Sequence, residues 1–317
     1  MNKIALLAML VPVFIAGCTA QIPGLTQITP TIVAGAGLTI TEYSADQTQV
    51  YSNSTDRIMM TVDNLGGASV TDDKSLVMLI GSALSLSDTT GMYWRNPLET
   101  VYKHFGKTMT PADPVRDIPA STKSFSWTLT SPSLAAGQSQ NYIFIGRTYY
   151  DYQTNVGGTV WIYSQAESDA ARAAKRSLNK AAFSGTSGPV ALIVKTSPDP
   201  VVLATGETTF TMTIKISNVG GGTLYRTGGV AYTSGAEDTT LITDELNKVS
   251  VSVTAPGFTI PSTCTGEQEL VGGKDLTLTC DVTVITPPTT FEGFPITVTA
   301  TYGYFSERTT SVTVTGR

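Results

Sequence analysis

The sequence has few of the residues on which most enzyme sites depend. Its 317 residues include one histidine, His104, and three cysteines, and charged residues make up only 14% of the chain. A Ser-His-Asp triad or a histidine-based metal site would have to use that one histidine. No Gly-rich phosphate loop, zinc-binding helix or nucleophile elbow occurs in the chain. We therefore expect a protein that is not an enzyme and binds no cofactor or metal.

Positive charge is also scarce. The formal net charge is −5, and the only basic cluster consists of Arg172, Lys175, Arg176 and Lys180. An acidic chain with scattered charges is a poor partner for nucleic acid. We interpret the cluster as the solvated face of a short helix and expect no nucleic-acid partner.

Residues that favour β-strands and turns dominate the composition. Thr, Ser, Val and Gly are plentiful, and long stretches rich in Glu, Lys and Leu are almost absent, which favours strands over helices. Short alternating segments separated by turn residues recur through both halves, and six or seven such strands per half are typical of a β-sandwich. The predicted strands are Phe125–Thr130, Tyr142–Tyr149 and Thr159–Tyr163, then Leu192–Thr196, Phe210–Ser217, Lys248–Thr254, Leu276–Val284, Ile296–Tyr302 and Thr309–Val314. Alternation within two of them predicts that these residues face the core: Val249, Val251, Val253, Leu276, Leu278, Cys280 and Val282.

The chain contains a diverged internal repeat. The segment Met60–Gly67 recurs as Ile214–Gly221, and in both a strand runs into Asn, an apolar residue and two glycines. A second motif follows in each half, Tyr150–Tyr152 and Tyr302–Tyr304. The offsets are nearly equal, so duplication of one domain is the simplest explanation.

One segment has helical character. Residues Gln165–Phe183 are rich in alanine and end near Gly185. This helix would connect two domains, so the predicted fold class is all-β, with sandwiches at 38–164 and 189–317 joined by a helical connector at 165–188. A loop insertion is the alternative for the same segment.

The first residues have the order of a secretory signal. Lys3 precedes an apolar run, Ile4–Ile15, which is too short to span a membrane. The residues Ile15–Cys18 resemble the lipobox of bacterial and archaeal lipoproteins, which implies a signal peptide at 1–17 and lipid attached to Cys18. Residues 18–37 lack charge and carry Pro and Gly, as a flexible tether does. Ordinary cleavage after Ala20, giving a free secreted protein, is the alternative.

Two cysteines remain if Cys18 carries lipid. We expect Cys264 and Cys280 to be bonded in an oxidising compartment. They lie at the ends of a predicted hairpin formed by Thr263–Leu270 and Lys274–Val284.

The strand, Asn-x-Gly-Gly turn, Tyr-x-Tyr motif and leading lipobox together resemble archaeal surface lipoproteins with tandem immunoglobulin-like domains of the CARDB or NEW3 kind. The resemblance covers most of residues 38–317. It implies a cell-surface scaffold or adhesive stalk without catalytic residues.

An irregular aromatic loop at 89–119 interrupts the first domain. Its candidate binding residues are Tyr93, Trp94, Tyr102, His104 and Phe105, since aromatic loops on a rigid sandwich often bind partners. The alternative is that these rings cap the core. For His104, we favour a hydrogen-bonded surface histidine, although a distant partner can complete a site in the fold.

Other polar residues give weaker signals. Asn53 begins the single glycosylation sequon, which predicts an exposed loop. The adjacent acids Asp72 with Asp73 and Glu237 with Asp238 lack calcium-loop spacing and are predicted to lie in solvated turns.

These observations predict a lipid-anchored structural, adhesive or protein-interaction scaffold of the cell envelope. It would be tethered to the outer face of the cytoplasmic membrane, or secreted, and would contact an envelope protein or glycan. The alternatives are a carbohydrate- or solute-binding lipoprotein, which a deep aromatic cleft at Trp94 would favour, and a filament subunit that exchanges strands, which an unpaired edge strand would favour.

Overall fold

A computed structural model describes residues 35–317. The predicted leader (1–17), the lipid attachment at Cys18 and most of the predicted tether lie outside the described residues. The described chain is mostly β with one short α-helix and three 3₁₀ turns, at Asp72–Lys74, Thr243–Glu245 and Ser262–Cys264. No helix in this part of the chain is long and apolar enough to cross a membrane.

The described part of the first half contributes seven strands and the helix. They are β1 (Leu38–Ala45), β2 (Gln49–Tyr51), β3 (Thr55–Asn64), β4 (Ser75–Gly81), β5 (Tyr102–Lys103), β6 (Thr122–Thr130), β7 (Ser139–Ser164) and α1 (Gln165–Ala173).

The second half contributes ten strands. They are β8 (Ala182–Gly185), β9 (Val190–Ser197), β10 (Val201–Leu203), β11 (Thr209–Asn218), β12 (Thr223–Tyr225), β13 (Lys248–Thr254), β14 (Phe258–Thr259), β15 (Gly266–Glu269), β16 (Asp275–Val284) and β17 (Phe291–Thr315).

The internal repeat is reproduced strand by strand. β1 and β9 have eight residues each, β3 and β11 ten each, and β2 and β10 three each. β2 pairs parallel with the end of β17, and β10 pairs parallel with the end of β7. The two halves are therefore related by an approximate two-fold symmetry.

The repeated motifs bind each other. In the first half, the Tyr152 hydroxyl accepts the backbone N–H groups of Gly67 and Ala68, each at 2.9 Å. In the second half, the Tyr304 hydroxyl accepts the N–H of Gly222 at 2.6 Å and donates to Asn218 Oδ1 at 3.1 Å. The second tyrosine of each Tyr-x-Tyr motif thus forms hydrogen bonds with the glycine turn of its own half.

Residues 35–317 form three sheets. The first half supplies a small sheet in the order β1-β3-β6, and the second half supplies another in the order β14-β16-β11-β9. A large sheet in the order β15-β13-β17-β7-β4-β5 joins the halves. Its centre is an antiparallel ladder in which Ser139–Tyr163 of β7 pairs without interruption with Phe291–Thr315 of β17.

The two long strands cross from one half to the other. β7 pairs with β4 at its start and with β8 and β10 at its end. β17 pairs with β13 near its start and with β2 of the first half at its end. Residues 303–315, which the sequence-based boundaries assign to the second domain, therefore lie in the sheet beside the first half.

One buried apolar cluster runs through both halves between the large sheet and the small sheets. β1 contacts both β7 and β17, and so does β9. The alternation predicted for Val249–Val253 and Leu276–Val282 is confirmed, because Val251, Leu278 and Val282 point into the core.

Helix α1 is shorter than predicted. The Ser164 hydroxyl caps its first turn by accepting the Glu167 N–H at 3.2 Å. The predicted continuation to Phe183 is wrong, because Lys175 has a φ of 53° and turns the chain out of the helix. Residues beyond it are then drawn into β8, whose pairing with β7 overrides the helical propensity of this stretch.

The predicted hairpin around the cysteines is also wrong. β15 pairs with β13 in the large sheet, whereas β16 pairs with β11 and β14 in a small sheet. The disulfide between Cys264 and Cys280 is present, with the Cα atoms 6.0 Å apart. Cys264 lies in the 3₁₀ turn Ser262–Cys264 and Cys280 lies in β16, so the bond joins this turn to a small sheet and does not close a hairpin.

Candidate functional site

The irregular loop 89–119 is partly built into the core. Trp94 and Phe105 are both fully buried. The Trp94 ring packs edge-on against Phe144 with 5.2 Å between ring centroids, and Phe105 packs in the same way against Phe125 at 5.1 Å. Of the five residues predicted to bind a partner, these two cap the core, and Trp94 offers no face to a ligand.

Tyr93 and several aliphatic residues of the same loop do reach the surface. Tyr93 is 42% exposed, whereas Leu98 and Val115 are each 93% exposed. Met92 and Ile118 are exposed as well. The sequence pattern predicted that the aromatic rings bind a partner. The exposed apolar surface of the loop consists mainly of these aliphatic side chains.

Tyr102 and His104 contact the second half of the chain. His104 Nε2 lies 2.9 Å from Glu237 Oε1, and the Tyr102 hydroxyl lies 3.4 Å from Thr239 Oγ1. The hydrogen bond from His104 is the main reason that the pKa of Glu237 is lowered. Sequence reasoning left this partner open, because Glu237 is remote along the chain.

The His104–Glu237 contact borders an open depression of about 600 Å³ that also includes Glu99 and Lys103. Lys103 Nζ is 2.8 Å from Glu99 Oε2 and donates to the Ser126 carbonyl at 2.6 Å. The His104–Glu237 contact joins the two halves, whereas Lys103 is paired with Glu99 within the first half. His104 is thus half-buried and hydrogen-bonded to Glu237.

A cluster of tyrosines covers the other face of the large sheet. Its buried members are Leu76, Tyr149, Tyr225, Val230 and Tyr232. The Tyr232 hydroxyl donates to Asp151 Oδ1 at 3.0 Å. Burial raises the pKa of Asp151 to about 6, although the bond from Tyr232 opposes the shift. Sequence reasoning missed this carboxylate, for which the only signal was an acid flanked by two tyrosines.

A groove runs beside β17 where the two halves meet. Its volume is about 480 Å³, and it is lined by Gly35–Ile40, Gly220–Thr223 and Tyr304–Arg308, with Tyr150 and Pro189. Ser306 Oγ is buried there and has no hydrogen-bond partner among the described residues. β17 is an interior strand of the large sheet, but among the described residues its segment 306–312 has no paired strand on the groove side.

The other predicted polar positions lie in turns, in a 3₁₀ helix or, for Asp238, in an isolated β-bridge. Asn53 is exposed, with a φ of 57°, and its Oδ1 accepts a hydrogen bond from Arg95 at 3.3 Å. Asp72 Oδ1 accepts the Gly106 N–H at 2.8 Å, and Asp238 Oδ1 accepts the Thr240 N–H at 2.8 Å. Within residues 35–317, no group of three or more His, Cys, Asp or Glu side chains is placed to hold a metal ion.

Comparison with known proteins gives weak likenesses only. No family model matches the chain, and no curated protein matches it.

Among solved structures, the chain is similar to a mutant of Salmonella alpha-2-macroglobulin at 10% identity and a TM-score of 0.23, over 90% of this chain and 17% of that one. It is similar to E. coli alpha-2-macroglobulin at 11% identity and a TM-score of 0.23, over 89% of this chain and 17% of that one. It is also similar to the D0–D1 domain of intimin at 9% identity and a TM-score of 0.18, over 87% of this chain and 98% of that one. The chain thus spans about a sixth of the macroglobulin chains, and these scores support no transfer of function.

Proposed function

We propose that this chain is an extracytoplasmic scaffold or adhesive protein of the cell envelope, built from two immunoglobulin-like sandwiches and anchored through lipid on Cys18. The observation that carries the proposal is the ladder between β7 and β17, which is shared by both halves. Strands paired over this length join the two halves in one hydrogen-bonded sheet, which suits a spacer. The disulfide between Cys264 and Cys280 supports an oxidising location.

The partner surface in this proposal is the exposed part of the loop 89–119. Exposure of apolar side chains to water is unfavourable, and exposed apolar patches often mark the surfaces that bind a partner. Leu98 and Val115 are the most exposed of these residues. An envelope protein or glycan would dock there.

Binding to isolated cell envelopes tests the proposal. Leu98→Ser with Val115→Ser should weaken sedimentation of the chain with envelopes by about tenfold, which corresponds to about 1.4 kcal/mol. The matched control is Val271→Ser with Ile285→Ser, which removes two equally apolar side chains that are 73% and 64% exposed outside the loop. Equal binding by both variants would reject the loop, and treatment of envelopes with protease or glycosidase tells a protein partner from a glycan.

The anchor is tested separately in intact cells. Cys18→Ser should move the protein from the membrane to the soluble fraction, because one lost acyl anchor removes most of the membrane affinity. A variant that still partitions into detergent would contradict the lipid anchor. Labelling of the intact cell surface with a membrane-impermeant reagent should modify the wild-type chain.

A strand-exchanging filament subunit is the second candidate, because among the described residues no strand pairs with residues 306–312 of β17 on the side away from β7. Solute binding in an aromatic cleft has less support, since Trp94 packs against Phe144 inside the core.

A further inference from the structure

The large sheet turns one face to the surface in the second half. On β7, Val156, Val160 and Ile162 are buried in the core. Side chains alternate along a strand, so the alternate residues from Gln153 to Trp161 point to the other side. β17 continues this surface with its alternate residues from Gly293 to Thr301, which lie opposite them in the ladder. We call these outward residues of the two strands the outer face.

The outer face carries no charged residue. It consists of Gln, Asn, Thr, Gly, Pro and Trp, and β13 extends it with the exposed Ser250, Ser252 and Thr254. Neighbouring strands lie about 4.8 Å apart and outward residues of one strand about 6.8 Å apart, so the hydroxyl and amide groups form a regular array. Recognition of an ionised ligand relies on charged partners. This surface therefore suits a neutral, polar ligand.

One end of the outer face is aromatic. Gly293 lies opposite Trp161 in the ladder, and a Cβ at Gly293 would lie 3.1 Å from the Trp161 ring. The ring thus lies over a position that has no side chain. Phe291 packs beside Trp161 with 6.2 Å between ring centroids and is 46% exposed. A sugar ring can stack its C–H groups on such a surface, while amides and hydroxyls nearby bind its hydroxyl groups.

The middle of the outer face holds an open depression of about 390 Å³. Gln153 Nε2 donates to Asn155 Oδ1 at 2.9 Å, and no described residue accepts from the amide N–H groups of Asn155. These donors are available to a ligand. The depression is lined by Asn155, Gly157, Ser184, Gly185, Thr186 and Thr297.

The equivalent place in the first half is occupied by an ion pair. The offset between the two Tyr-x-Tyr motifs relates Asn155 to Glu307 and Thr299 to Arg147. In both halves the two residues are direct partners in the ladder. Arg147 Nη2 lies 2.7 Å from Glu307 Oε2, and the position of Trp161 has threonine. The same scaffold thus carries an uncharged array with an aromatic end in the second half and charged groups in the first.

We propose that the outer face binds a neutral polysaccharide. A chain laid along β7 stacks one sugar ring on Trp161 and places the hydroxyl groups of the next rings against Thr297 and Asn155. The array from Gln153 to Trp161 is about 26 Å long, which favours a polymer over a monosaccharide. The site is separate from the loop 89–119 and from the lipid, so it goes beyond the proposed function and does not depend on it.

Fluorescence quenching in the full chain tests binding at this place. Trp94 and Trp127 are fully buried, whereas Trp161 is partly exposed, so acrylamide quenches mainly Trp161. In a Cys18→Ser background, soluble glucan, mannan and galactan are titrated separately. At least one of them should reduce the quenching twofold or more, whereas the anionic polymer polygalacturonate should not. Added salt should leave the result unchanged, because no ion pair forms.

Matched substitutions locate the site. Thr297→Glu puts a charge into the outer face, and Thr309→Glu makes the same change at an exposed threonine in the part of β17 beside the first half. In affinity electrophoresis through the neutral polysaccharide, Thr297→Glu should weaken binding at least tenfold and Thr309→Glu should not change it. Trp161→Ala should weaken it at least tenfold as well, because the stacking surface is lost. Thr297→Glu, at an exposed position, keeps the test decisive if Trp161→Ala does not fold.

Several results would overturn the proposal. They are the absence of binding to every neutral polymer, tighter binding to polygalacturonate, and equal binding by Thr297→Glu and Thr309→Glu. Dimerisation that protects Trp161 without any polysaccharide would assign the outer face to a second copy of the chain. Leu98→Ser with Val115→Ser should leave polysaccharide binding intact, so failure of the loop 89–119 as a partner surface is distinguishable from failure of this site.

Discussion

Asp151 lies opposite Gly303 in the central ladder, near the approximate two-fold axis. Its position in the Tyr-x-Tyr motif puts a carboxylate in a place where the second half has glycine. The carboxyl group is surrounded by the tyrosine cluster, and loss of hydration raises its pKa to about 6. The ionised form is therefore less stable in the folded chain than in the unfolded one.

We predict that Asp151→Asn stabilises the protein at neutral pH. For a carboxyl whose pKa rises on folding, the unfolded chain releases its proton first, so stability falls as the pH rises from about 4 to about 6. A pKa of about 6 in place of the ordinary carboxyl value lowers the free energy of unfolding by about 3 kcal/mol above that window. Urea denaturation should show a gain of about 1–3 kcal/mol at pH 7.5 for the variant and little change at pH 4.

Asp169→Asn, on the exposed face of α1, is the control. This change should leave the pH dependence of the free energy of unfolding unchanged. If Asp151→Asn lowers stability at pH 7.5, the carboxylate has a stabilising contact that outweighs its burial. The Asn side chain keeps an acceptor for the Tyr232 hydroxyl, so loss of that bond is not a competing explanation.

The disulfide between Cys264 and Cys280 also contributes to stability through individual residues. Cys264→Ala with Cys280→Ala should lower the free energy of unfolding by about 3 kcal/mol, because the bond closes a loop with a sequence separation of 16. Reduction of the wild-type chain should reproduce the loss. Cys18→Ser serves as the control, and a wild-type chain whose urea midpoint is unchanged by reductant would contradict the expectation.

At the scale of elements, the tyrosine anchors explain why the repeat survives in two diverged halves. The Tyr304 hydroxyl both accepts from Gly222 and donates to Asn218. We predict that Tyr304→Phe costs about 1–3 kcal/mol, since it leaves the backbone N–H without its partner. In urea denaturation, this loss of stability should appear as a lower midpoint with an unchanged dependence of the unfolding free energy on urea concentration. Tyr51→Phe, at an exposed ring, should have no effect, and a similar loss there would show that the assay does not resolve the anchor.

How much of each element the sequence predicts depends on which forces determine it. Alternation predicted the core side of β13 and β16, because burial on one face fixes side-chain direction. The end of α1 could not be predicted in this way, since residues after Lys175 pair with β7 through β8. The cysteine bond was predicted from pairing of the two thiols left after Cys18, but the strands around it belong to different sheets, a matter of tertiary contacts.

The candidate site, too, could be predicted only in part from the sequence. The loop 89–119 was located by its lack of periodicity, and Tyr93 is exposed as a binding residue should be. Trp94 and Phe105 were equally good candidates by residue type, and only the packing against Phe144 and Phe125 tells them apart. Glu237 was unrecognisable as the partner of His104, because contacts between remote insertions leave no local pattern.

At the scale of the whole molecule, the repeat predicts two similar halves but says nothing about how they share strands. Each half takes part of its sheet from the other: Val312 and Val314 are fully buried beside the first half, and Val160 and Ile162 are fully buried beside the second. Duplication of a domain with long last strands produces this exchange, since each long strand can pair with its copy. The domain boundaries themselves remain a prediction.

The exchange changes what is expected when the chain is divided. The sequence alone predicts that 38–164 and 189–317 fold independently, whereas the shared ladder implies that each fragment loses the strand that completes it. A chain that ends after Phe305 makes the sharper test, because it removes only residues assigned to the second domain. We predict that this truncation destabilises the first half, since it removes the buried Val312 and Val314, each worth about 1.5–3 kcal/mol.

Tryptophan fluorescence gives the readout, because Trp94 and Trp127 are both buried in the first half. Their emission should shift to the red in the truncated chain and the denaturation midpoint of the first half should fall. Adding the fragment 189–317 to the fragment 38–164 should restore the emission, since it supplies the missing end of β17. Cooperative unfolding of 38–164 alone, with native emission, would show that the first half needs no strand from the second and that the ladder only holds two finished domains side by side.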